Sequence, residues 1–138
     1  MSTDRIIPNA GYVDSKTLPK GPNGFSLCRY CNKECKPPKR TFCSSACVHE
    51  WQIRSNPGYA RKQVFKRDKG RCSICGEAKM TDHKSRPKPL WEMDHTIPVS
   101  EGGGSCGLEN LRSLCRPCHL SVTKELAGRR ALAKRKLN

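Results

Sequence analysis

Eight of the ten cysteines fall into four short pairs, and that spacing constrains the fold more than any other feature of the chain. The pairs are Cys28-x-x-Cys31, Cys43-x-x-x-Cys47, Cys72-x-x-Cys75 and Cys115-x-x-Cys118. Cysteines at this density serve either as disulfides or as metal ligands. Paired spacing favours zinc, whose structural sites close at four ligands. Two such sites are expected, one on Cys28, Cys31, Cys43 and Cys47, the other on Cys72, Cys75, Cys115 and Cys118. Cys35 is then an odd thiol, and Cys106 is a free thiol in a glycine-rich loop. The 138 residues amount to about one ordinary domain by length. Mean hydropathy is -0.74, so apolar material for one large core is scarce and metal cross-links make up the shortage.

No apolar run follows Met1, so no signal peptide is expected. No stretch approaches the ~20 apolar residues of a membrane span. An intracellular, reducing compartment fits thiolate ligation: the nucleus if the source is eukaryotic, otherwise the cytoplasm or a phage-infected cell.

Lys and Arg number 27 against 12 Asp and Glu, giving a net charge of +15. This is the electrostatic footprint of a polyanion binder. The charge is spread along the chain and no strongly amphipathic helix accompanies it, so nucleic acid is a better partner than an anionic membrane.

Along the chain, residues 1–27 are rich in Pro and Gly and read as an extended or disordered arm. Residues 28–54 form a small zinc finger, with Ser44 or Ser45 capping a helix that carries Cys47 and Trp51 on one face. Ser55-Asn56-Pro57 starts a helix running to about Lys69, with Gly70 ending it. Its basic residues, among them Arg61, Lys62, Lys66 and Arg67, are either phosphate contacts or a solvated face. A Pro-containing loop at 77–89 precedes a strand, 90–95, and Leu111–Leu114 fits a short return strand. A helix follows from Cys118 to about Ala127, interrupted at Gly128. The tail 129–138, with Arg129 and Arg130, is a candidate for DNA contact, a nuclear address or simply a solvated basic segment.

Between the two pairs of the second zinc unit lies Asp94-His95, and His119 follows Cys118 directly. Phosphodiester hydrolysis needs a base for water and stabilisation of the phosphoryl charge and leaving oxygen; a histidine supplies the first and a divalent cation the rest. His95 is the base candidate. Asp94 and His119 are ligand candidates for Mg²⁺ or Mn²⁺, ions that suit a hard carboxylate. Neighbours on a regular strand point to opposite faces, so Asp94 and His95 share a site only if the strand bends or bulges. Asn110 reads either as a turn residue or as a group that braces the His95 loop or joins the metal shell.

Asp94-His95-x-x-Pro98, Gly102-Gly103, Asn110-Leu111 and Cys115-x-x-Cys118-His119 resemble the HNH, or ββα-metal, endonuclease family over about residues 58–124. Arg67-Asp68-x-Gly70-x-Cys72-x-x-Cys75-Gly76 is similar to that family's zinc-bearing lead-in. A closer resemblance includes Phe42-Cys43-Ser44-Ser45-x-Cys47, Ile53-Arg54-Ser55-Asn56 and Trp91-Glu92-Met93-Asp94-His95. It is to the nuclease module at the end of eukaryotic annealing-helicase translocases.

The resemblance implies a small α+β, zinc-stabilised fold, a ββα-metal core preceded by a treble-clef-like finger. It places a nuclease domain at 55–128. It gives His95 the role of general base, with Asn110 beside it in the catalytic set, and makes Asp94 and His119 metal ligands. The implied activity is endonucleolytic cleavage of double-stranded or branched DNA leaving 5′-phosphate and 3′-hydroxyl ends. A non-catalytic zinc module that binds nucleic acid is the alternative, and it has no need of Asp94, His95 and His119 together. A zinc-dependent protein-interaction module fits the charge less well.

Overall fold

The computed structural model describes residues 14–78, 91–104 and 106–137. Residues 1–13 of the expected arm, most of the loop at 77–89, and Leu90 lie outside them. The described residues fall into two compact units, one up to Ala60 together with residues 106 and 107, the other comprising the rest. The architecture is small α+β: among the described residues, helices and one two-stranded sheet.

In the first unit, two isolated antiparallel bridges, Lys20↔Ser26 and Leu27↔Glu34, shape the knuckle that carries Cys28 and Cys31. Helix α1, Ser45–Ser55, follows. Ser44 caps it, its hydroxyl accepting from the Cys47 N–H at 3.2 Å, which satisfies an amide that the first turn leaves without an intrahelical partner. Trp51 and Ile53 are buried on this helix. The guanidinium of Arg29 sits 4.3 Å from the Trp51 ring centroid, so a nearly buried charge is stabilised by the aromatic face. Asn56 ends α1 and starts α2, Pro57–Asp68: its side chain accepts from the Tyr59 N–H at 3.1 Å.

The second unit is organised around Trp91, Leu114, Val64 and Leu111, all buried. Each such side chain contributes about 1.5–3 kcal/mol on leaving water. Strands β1, Trp91–His95, and β2, Leu111–Cys115, pair antiparallel in the register Trp91↔Cys115 to His95↔Leu111. Helix α3, Arg116–Leu137, begins at the residue after β2. It runs through Gly128, where the sequence predicted an interruption. One interior glycine costs about 1 kcal/mol, and the strong helix formers around it (Leu126, Ala127, Arg129, Arg130, Ala131, Leu132) outweigh that. The segment expected as a tail is therefore helical up to Leu137.

Asp68, the last residue of α2, ties three elements together. Its Oδ2 accepts from the backbone N–H and the hydroxyl of buried Ser113, at 3.1 and 2.8 Å. The same hydroxyl lies 2.8 Å from the Arg71 carbonyl, so its one proton is shared between two acceptors. Burial by itself would raise the Asp68 carboxyl, but hydrogen bonds from Arg67 and Ser113 outweigh it and hold the group below the usual carboxylate range.

Candidate active site

The direct junction of β2 and α3 builds the metal frame of the second unit. Cys115 ends the strand and Cys118 lies in the first helical turn, one residue before His119. Cys72 and Cys75 come from the turn after α2, fixed by the bond from the Ser73 N–H to the Ser113 carbonyl at 2.9 Å. The sulfurs of Cys72, Cys75, Cys115 and Cys118 lie within 4.8 Å of one another, as do those of Cys28, Cys31, Cys43 and Cys47 in the first unit. The Cys75–Cys115, Cys31–Cys43 and Cys43–Cys47 separations are 3.7, 3.4 and 3.5 Å. A tetrahedral zinc with ~2.3 Å bonds gives sulfur edges of about 3.8 Å. The donor sets thus fit structural zinc, and none of the ten cysteines is bridged.

Thiol energetics agree. In the second tetrad Cys72, despite burial, is brought down to about 6 by backbone donors including Cys75 and Cys115. Cys118 is pushed up to about 12, first by its hydrogen bond to Cys115. Converging thiols ionise one at a time, and only a dication at their centre stabilises all four as thiolates. Cys35, the odd thiol, is buried; desolvation and then the neighbouring tetrad thiols raise its pKa.

Asp94, His95 and His119 line one cavity of about 530 Å³, together with Arg112, Arg129 and Glu125. The β1–β2 register is one-to-one as far as His95, so no bulge brings the adjacent Asp94 and His95 there. His95 is the last strand residue, and the chain turns after it, with the Thr96 N–H bonded to the Asn110 carbonyl at 2.9 Å. His119 projects from the first turn of α3, one residue after its zinc-frame neighbour Cys118.

Asn110 does not line this cavity. Its Oδ1 accepts from the Ile97 N–H at 2.7 Å, and its Nδ2 donates to the carbonyls of Ile97 and Gly103 at 3.1 and 3.0 Å. Of the two roles left open by the sequence, the geometry is that of a loop brace: the side chain closes the loop that follows His95. Gly103 makes that closure feasible. A Cβ there would collide with the Ile97 carbonyl and sit 2.7 Å from Asn110 Nδ2.

The basic residues divide. Arg61 donates to the Trp91 carbonyl at 2.8 Å and stacks 3.8 Å from the Trp91 ring centroid. Arg67 binds Asp68 and the Leu108 carbonyl. Both therefore brace the unit, which a sequence view of a basic helix face cannot reveal. Lys62, Lys66, Arg129 and Arg130 are exposed, and so is Arg67 despite its bonds. Arg129 reaches Glu101 at 3.4 Å. Arg112 carries no motif signal in the sequence. It lies opposite Asp94 in the sheet, and its Nε donates to Asp94 Oδ2 at 2.9 Å. Once the register is fixed, an Arg facing an Asp across two strands is the signal that identifies it.

Comparison with known proteins agrees with this geometry. The family model described as HNH endonuclease matches residues 72–125. The chain is 32% identical over 170 residues to the DNA annealing helicase and endonuclease ZRANB3 of Mus musculus, covering 93% of this chain and 16% of that protein. The proteins of the same name from Bos taurus and Homo sapiens are 33% and 32% identical over 127 residues, covering 68% of this chain and 12% of each. The chain thus spans less than a fifth of the length of these relatives. No solved structure matches it. No helix among the described residues is long and apolar enough to cross a membrane. Both strands, the start of α3, a four-cysteine frame and the Asp-His and Cys-His elements lie within residues 72–125, and over that span the chain carries an HNH endonuclease domain.

Proposed function

We propose that the chain hydrolyses DNA phosphodiester bonds at the cavity shared by Asp94, His95 and His119. That shared cavity is the observation that supports the reading most, because the reaction needs a base and hard-ion ligands at one place. His95 is the general base. No described residue hydrogen-bonds its ring, so a ring nitrogen is open to the proton of an attacking water. Asp94 and His119 would hold Mg²⁺ or Mn²⁺, which would supply Lewis-acid stabilisation of charge on the phosphoryl and leaving 3′ oxygens. Asn110 keeps the loop after His95 in position and is not a ligand. Two zinc ions on the cysteine tetrads are structural, the first in a finger at 28–54 and the second in the nuclease domain at 55–128.

Phosphate contacts come from Lys62 and Lys66 and from Arg130 in the second half of α3, with little reading of sequence. The substrate is double-stranded or branched DNA. A reducing compartment, the nucleus in a eukaryote, fits the thiolate sites.

The test is nicking of supercoiled plasmid by the purified chain in added Mg²⁺ or Mn²⁺ and in metal-free buffer. Relaxed or linear product only with metal, absent in His95→Ala, is expected. Plasmid binding with no nicking under any metal would leave a non-catalytic nucleic-acid-binding module instead.

A further inference from the structure

We propose that Arg112 is a catalytic residue whose guanidinium makes two contacts at once: Nε holds Asp94, and the terminal nitrogens bind a non-bridging oxygen of the scissile phosphodiester. The inference rests on the phosphodiesterase reading above and assigns the phosphate subsite of that cavity.

The sheet register sets Arg112 directly opposite Asp94. The 2.9 Å bond from Nε to Oδ2 uses one of five guanidinium N–H donors. No described residue partners the terminal nitrogens of Arg112 or the second carboxylate oxygen of Asp94. The two side chains are 24% and 14% exposed, so water screens the pair only partly. Both line the same cavity as His95 and His119.

An oriented fork with open donors, partly sheltered from water, matches the geometry of a phosphate. Oδ1 of Asp94 stays open towards a cation while Oδ2 is held. One side chain thereby fixes the distance between the cation ligand and the phosphate, which independent residues would set less sharply. A lysine, a single point charge, cannot occupy both places. Arg129, the other Lys or Arg in the cavity wall, is more exposed and already paired with Glu101.

The competing account makes Arg112 only a cross-strand staple, worth about 0.2–1 kcal/mol. The two accounts separate in Arg112→Gln, which keeps an N–H for Asp94 but loses the charge, and in Arg112→Lys, which keeps the charge but loses the fork. For the full chain, zinc content, thermal unfolding and Mn²⁺ affinity by electron paramagnetic resonance without DNA are measured beside single-turnover plasmid nicking. Both variants are expected to keep their zinc and near-wild-type Mn²⁺ affinity, and to lose about 10²–10³-fold in nicking rate, with no recovery at higher Mn²⁺. Nicking close to the wild-type rate overturns the proposal in favour of the staple. A loss that excess Mn²⁺ restores overturns it too, because Arg112 would then act only through Asp94. A wild-type chain that binds Mn²⁺ yet nicks nothing removes the nuclease reading, and this subsite with it.

Discussion

Asn110 and Ile97 are bonded in both directions: the Ile97 N–H donates to Asn110 Oδ1 and the Asn110 amide donates back to the Ile97 carbonyl. A third bond, to Gly103, closes the loop from its far side. Asn110→Asp turns both donors into a carboxylate oxygen facing two carbonyls. It is expected to destabilise the domain by about 1–3 kcal/mol, measured by urea unfolding, and to slow cleavage while Mn²⁺ affinity holds. A proportionate loss of Mn²⁺ binding would make Asn110 a ligand. Gly103→Ala, by steric conflict with Ile97, should reproduce the loop defect with Asn110 intact.

His95→Ala should abolish plasmid cleavage and leave zinc content and DNA binding close to wild type, since a general base acts in the chemical step. Asp94→Ala and His119→Ala should also fail, but with partial recovery in excess Mg²⁺ or Mn²⁺. Cleavage by His95→Ala at near the wild-type rate would remove it as the base. Loss of zinc from that variant would place the defect in folding.

Elemental analysis of the chain purified without chelator should give about two zinc ions, the stoichiometry of two closed four-ligand sites. Cys115→Ser should bring the value to about one and melt the ββα unit, because ligation and folding are coupled in domains with small cores. Retention of both ions by Cys115→Ser would disprove the assignment.

Asp68→Asn should destabilise the second unit at neutral pH by about 1–3 kcal/mol, since charge-assisted bonds from Ser113 and Arg67 are weakened. The folded-state carboxyl lies below its unfolded value near ~3.9, so its stabilisation is complete above that value and is lost as pH falls through the folded one. The stability gap between wild type and variant should therefore narrow in acid. A gap that widens as pH falls would contradict the shift.

The sequence was most informative where ligands are close neighbours. Cys-x-x-Cys pairs constrain geometry locally, so both tetrads were legible before any fold was known. Helix α2 was legible from Asn56-Pro57, a cap and first-turn pair whose role depends on adjacent atoms. The partners of Asn110 depend instead on how a loop closes across 13 residues, and composition does not encode that. The engagement of Arg61 with Trp91 likewise requires the sheet to bring residues 30 apart together. Helix α3 runs past Gly128 because helix stability is a sum over neighbours, and one glycine among strong helix formers does not end it.

The absence of any residue between β2 and α3 has a consequence for quality control. Cys115, Cys118 and His119 lie within five consecutive positions, so the frame and the reacting wall of the cavity cannot be assembled separately. A molecule that never acquires its second zinc has no fixed first turn on α3 and presents His119 nowhere in particular. On the proposed nuclease function, a copy without that zinc is expected to be inert rather than indiscriminate.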